Sequence, residues 1–70
     1  MIPVTFAKTG EHNLIKKVGG SSETRQFLEN LGFVTGESVT VVNEISGNVI
    51  VNVKDTRIAV SKEMAAKIMV

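Results

Sequence analysis

Between Gly19 and Gly36 the chain carries a full set of helix start and stop signals, and the hydrophobic period changes directly afterwards. This order constrains the fold more than any other feature. Ser21 or Ser22 supplies a hydroxyl that accepts a hydrogen bond from a first-turn amide, and Glu23 stands where the helix dipole favours negative charge. Phe27, Leu28 and Leu31 share an apolar face with Thr24, while Glu23, Gln26, Glu29 and Asn30 turn toward water. Gly32, just past the helix, takes positive φ without a Cβ clash, and Phe33 then falls where a Schellman motif returns an apolar residue onto Leu28. Arg25 lies at the edge of the stripe, before Glu29, in the weaker orientation for a helical ion pair of about 0.2–0.5 kcal/mol. Stability alone hardly requires that arginine.

After Gly36 the period is two. Val39 and Val41 alternate with Ser38 and Thr40, Val49, Val51 and Val53 with Asn48, Asn52 and Lys54, and Ile58 and Val60 follow Arg57 in the same way. Ser46-Gly47 supplies a positive-φ residue for the first reversal, and Asp55-Thr56 is the expected second one. Three antiparallel strands result. Upstream, residues 12–18 form a weaker strand whose apolar residues do not alternate cleanly, which leaves its register open. Ser61 caps a short closing helix through Ala66, with Met64, Ala65 and Ile68 covering one end of the sheet and Ile68-Met69-Val70 available as a last strand. The expected product is mainly β with short helices, a small barrel-like sheet with one inserted helix, forming a single domain over residues 1–70.

Seventy residues bury only about 60% of the surface that the unfolded chain exposes, so the margin of stability is thin and a second core does not fit. The absence of cysteine removes disulfides, thiolate metal sites and a cysteine nucleophile, and is compatible with a reducing cytosol. No apolar stretch approaches the roughly 20 residues that span a bilayer, and the first residues lack the pattern of a signal peptide, so no membrane insertion is expected.

Catalytic candidates are few. His12 is the single histidine and reads as a polar strand residue; Glu11 beside it points to the opposite sheet face, which disfavours a local chelate. A metal site within one chain is not expected, nor is a cofactor, because further ligands are not grouped. Gly19-Gly20 before a helix start lacks both the Lys-Ser/Thr of a phosphate loop and the three spaced glycines of a dinucleotide site, and reads as a turn. The chain is therefore expected not to be an enzyme. Nucleic-acid binding is the alternative from another class. Against it stand a net charge of +1, with eight basic and seven acidic residues dispersed along the chain, and only three aromatics, Phe6, Phe27 and Phe33. Two of those belong in or beside the core on the helix argument.

The pattern Arg25-x-x-Leu28-x-x-Leu31-Gly32-Phe33-x-x-Gly36-x-x-Val39, with Gly19-Gly20 before it, the valine hairpin after it and Arg57-Ile58-Ala59-Val60-Ser61-x-x-x-Ala65-x-x-Ile68-x-Val70 at the end, resembles the FeoA family of ferrous iron transport accessory proteins. The resemblance covers nearly the whole chain. It implies an SH3-like barrel, a cytoplasmic location, and a partner in the FeoB transporter, which carries a cytosolic GTP-binding domain. The same domain resembles the carboxy-terminal SH3-like module of metal-dependent transcriptional repressors, whose helical DNA-binding region does not precede it here. Two departures from the family stand out. The entry Ile2-Pro3-Val4-Thr5-Phe6-Ala7-Lys8-Thr9-Gly10 is looser than the leucine-rich family form, and Ser46-Gly47 replaces a longer, proline-containing turn.

A protein-interaction module remains. Arg25, Leu28, Glu29 and Phe33 are the candidate partner contacts, since arginine and large apolar side chains anchor interfaces; Leu28 and Phe33 also read as core or cap residues. An exposed edge strand pairing with a second copy would make a homo-oligomer.

Overall fold

The computed structural model describes all 70 residues. Ser21 is the residue that caps the helix: the Thr24 amide donates to its Oγ at 3.2 Å, and the helix α1 runs Ser22–Leu31. Gly32 stops it at φ 113°, with its amide donating to the Glu29 carbonyl and the Phe33 amide to the Leu28 carbonyl, each at 3.0 Å. These are the two bonds of a Schellman motif, and Leu28 and Phe33 are both fully buried behind it.

Phe27 departs from its expected place and is half exposed. The inward stripe is Thr24, Leu28 and Leu31, and at about 100° per residue Phe27 falls well to one side of it, on the opposite flank from Arg25. Only Leu28 of the helix is fully enclosed.

Three long strands follow as the period of two requires: β3 Ser38–Ile45, β4 Asn48–Val53 and β5 Thr56–Ser61. Val39, Val41, Val49, Val51, Val53 and Val60 all point into the core. The first reversal is Ser46-Gly47, with φ 48° and 81°, the pair of positive angles a type I′ hairpin needs. The second reversal lies one residue earlier than the expected Asp55-Thr56: Thr56 pairs with Val53, and Lys54 and Asp55 take φ 50° and 60°. That register keeps Val53 and Val51 inward, and the two-residue connection it leaves is left-handed at both positions, as a type I′ turn needs. A bulge between Val41 and Asn43 interrupts the β3–β4 ladder, whereas the β4–β5 ladder is unbroken over its six pairs.

The segment 12–18 is two strands, β1 His12–Leu14 and β2 Lys17–Val18, not one. Ile15 and Val18 are both buried, and residues three apart cannot face the same side of a straight strand. The chain resolves the conflict by turning between them. The Ile15 amide bonds to Glu37 at 2.9 Å and the Lys16 amide to Met69 at 2.8 Å, handing the strand from one sheet to the other. One sheet has the order β1-β3-β4-β5, and the other pairs β2 with β6, Ile68–Met69. The Ile2 and Val70 amides donate to each other's carbonyls at 2.9 and 2.8 Å, so the N-terminal residues extend the small sheet and carry Val4 into the core.

The closing helix α2 is Lys62–Ala65, capped by the Ser61 hydroxyl, which accepts from the Met64 amide at 3.2 Å. The fold class is mainly β with two helices, as expected, but the two sheets do not close into one continuous barrel. A single cluster of fourteen buried apolar residues joins them to both helices, and no polar or charged residue is buried.

Candidate functional site

The four expected contact residues divide into two pairs. Arg25 and Glu29 are exposed, one turn apart on the same flank of α1, and no ion pair joins them. Leu28 and Phe33 have no exposed surface at all. As contacts they are corrected: the same Schellman geometry that places Phe33 over Leu28 removes both from solvent. They hold the corner that presents Arg25 and offer no exposed surface of their own.

A second surface comes together only in the folded chain. Across the outer face of the four-stranded sheet, His12 lies opposite Thr40, Thr40 opposite Asn52, and Asn52 opposite Arg57. One residue from each strand thus stands in a row. Two side-chain bonds tie it together: Thr40 Oγ1 and His12 Nδ1 are 2.8 Å apart, and Arg57 Nε donates to Asn52 Oδ1 at 3.4 Å. Ser38, Glu37, Lys54 and Asp55 complete an open depression that has no hydrophobic residue in its lining. Its charges are of both signs. Finding it requires the strand register, because Thr40, Asn52 and Arg57 read in the sequence only as the polar halves of three separate alternations.

The His12–Thr40 contact has the atoms of a base and a hydroxyl, yet it is solvated, whereas nucleophilic chemistry relies on preorganised, water-excluded donors. Such a face is suited to hydrogen-bonded recognition. No three His, Asp or Glu side chains come together in a metal-holding group. The molecule's one ion pair, Lys62 Nζ to Glu44 Oε1 at 2.8 Å, joins the start of α2 to β3 away from this depression.

A family model for the FeoA domain matches residues 2–70, which takes in the capped helix, the valine hairpin and the closing strand together. The chain belongs to the FeoA family. Among curated proteins it is 36% identical to "Putative Fe(2+) transport protein A" of Methanocaldococcus jannaschii, over its whole length and 85% of that protein. A crystal structure of an iron uptake regulatory protein, FeoA, superimposes with a TM-score of 0.87 at 25% identity, covering 97% of this chain and 90% of the other. Stenotrophomonas maltophilia FeoA in complex with zinc, a prokaryotic SH3 domain protein, gives a TM-score of 0.76 at 24% identity over 89% of this chain and 80% of that one. The FeoA fold is accordingly SH3-like. In this FeoA chain the looser N-terminal segment still pairs with the C-terminus through Ile2 and Val70 and buries Val4.

Proposed function

We propose that this FeoA-family chain is a cytoplasmic accessory protein of ferrous iron uptake that binds the cytosolic GTPase region of a FeoB-type transporter and assembles or regulates it. The observation that carries this reading is the family match over residues 2–70, supported by 36% identity across the whole chain to a protein named for Fe(2+) transport. An open, polar surface on a small scaffold fits recognition of a partner in place of turnover. On the partner-facing side, Arg25 and Glu29 are the accessible members of the expected contact set, held in position by the buried Leu28–Phe33 corner.

An accessory domain regulates a GTPase region only by binding one of its conformations more tightly than the others. Pull-down of the transporter's cytosolic region by the wild-type domain, and by folded Arg25→Ala, tests the reading directly. Retained wild-type binding with loss in the variant places Arg25 in the interface, and unchanged binding removes it. GTP hydrolysis by the transporter with and without added domain separates regulation of rate from assembly. Affinity for nucleic acid that falls steeply with salt, without affinity for the transporter, would replace this function with the alternative one.

A further inference from the structure

The outer edge of β5 is a free hydrogen-bonding edge. In a two-residue hairpin the residues flanking the turn form a hydrogen-bonded pair, so Val53 and Thr56 bond to each other across the Lys54-Asp55 reversal. Alternation along the ladder then directs the amides and carbonyls of Thr56, Ile58 and Val60 toward β4. Those of Arg57, Ala59 and Ser61 point away from it. All three of these residues are exposed, and no turn or loop hydrogen bond engages the backbone groups of Arg57 and Ala59 or the amide of Ser61, whose carbonyl is committed to α2 as its N-cap.

Natural sheets protect such edges with charged side chains, proline, bulges, short strands or covering elements. This strand has no proline, pairs with β4 over six residues without a bulge, and places the small Ala59 at its centre. The opposite edge of the sheet, β1, is only three residues long. One charge marks the open edge. Arg57 stands at the end of the His12–Thr40–Asn52–Arg57 row, and its guanidinium bonds to the neutral Asn52 amide oxygen and to no carboxylate.

We infer that β5 receives an extended, acidic segment of another protein as an added strand, with backbone bonds to Arg57, Ala59 and the amide of Ser61 and a carboxylate set opposite the Arg57 guanidinium. The chemistry of the occupant follows from two features. The backbone edge accepts any extended chain, and the arginine beside it selects for negative charge. A second copy of this strand fits less well. Side chains paired across an added strand must share a sheet face, so in the central antiparallel registers Arg57 meets Ala59 or Ser61 of the copy. The strand Thr56–Ser61 contains no acidic residue to offer. This inference does not rest on the transporter reading: it stands on the edge and its charge, and α1 takes no part in it.

The test uses the full chain and a short capped peptide alternating Thr and Val with a central Glu, followed by residue-resolved amide hydrogen exchange. Saturating peptide should slow exchange about tenfold or more at Arg57, Ala59 and Ser61 and leave Thr56, Ile58 and Val60, already bonded to β4, unchanged. A peptide with Lys in place of Glu should bind about three- to tenfold more weakly, and Arg57→Ala should erase that difference. Ala59→Pro removes an outward amide without touching the β4 ladder and should abolish protection while the native spectrum persists. If Ala59→Pro does not fold, the Glu-against-Lys preference and its loss in Arg57→Ala carry the decision. No slowing with either peptide overturns the inference, as does equal affinity for both. Slowing at these amides that grows with protein concentration alone, together with a dimer mass, overturns it in favour of a second copy.

Discussion

The corner where α1 meets Phe33 and the outer face of the four-stranded sheet both carry residue types that recognise partners, yet they keep them on opposite sides of the surface. At the corner, Leu28 and Phe33 are sealed by two backbone hydrogen bonds, leaving Arg25 and Glu29 in water. On the sheet, the valines go inward and the row His12, Thr40, Asn52 and Arg57 stays out. A large apolar residue beside an arginine therefore indicates an interface only when no local motif has already claimed the apolar side chain. In a domain of this size, the core claims it first.

The comparison breaks most sharply at Phe33. If it is purely a core residue, Phe33→Ala should cost about 3–5 kcal/mol, a large fraction of the roughly 5–15 kcal/mol available to a typical domain, read as a fall in the urea midpoint. A substitution that left the midpoint unchanged but lost partner binding would reverse the assignment. Next is Gly32→Val. A Cβ at Gly32 meets nothing closer than 3.5 Å, so the Cβ itself fits, and the φ of 113° is the obstacle. The expected cost is about 1–2 kcal/mol, measured by thermal melting, and Gly32→Ala should show most of it. Ser21→Ala follows at about 1 kcal/mol, because the Thr24 amide loses the acceptor at 3.2 Å that caps the helix. On the sheet the opposite behaviour is expected. Arg57→Ala should shift stability by no more than about 0.5 kcal/mol, since its one side-chain bond is an exposed contact of 3.4 Å, and any larger loss would mean the row supports the fold.

The helix, its serine cap, its glycine stop and the three long strands were legible because each rests on local chemistry: a hydroxyl at a helix start, a residue without Cβ at positive φ, and valines at every second place. What escaped depends on contacts distant in sequence. The break between Leu14 and Lys17 follows from Ile15 and Val18 both facing inward, which only the packed core enforces. The shift of the second turn to Lys54-Asp55 requires two non-glycine residues at positive φ, a conformation that composition does not advertise and that the β4–β5 register imposes. Arg25 and Glu29 could be placed on an exposed flank from helical spacing alone. The polar row could not, because its four members lie on four strands and become neighbours only through pairing between them.

The smallest effect belongs to the one ion pair, and it tests whether charge on the sheet side contributes to holding the fold. Lys62 and Glu44 approach to 2.8 Å, but their side chains are 59% and 50% exposed, so water competes for both groups and the coupling should be about 0.2–1 kcal/mol. A double-mutant cycle with Glu44→Gln and Lys62→Met in dilute buffer isolates it from the loss of each side chain's packing. In roughly 1 M salt, where the screening length drops to about 3 Å, the coupling should shrink toward zero. A coupling that survived salt would mean that the pair fastens the start of α2 to β3 as a structural clamp. The division between an apolar interior that carries stability and a charged exterior left free for recognition would then fail at that end of the sheet.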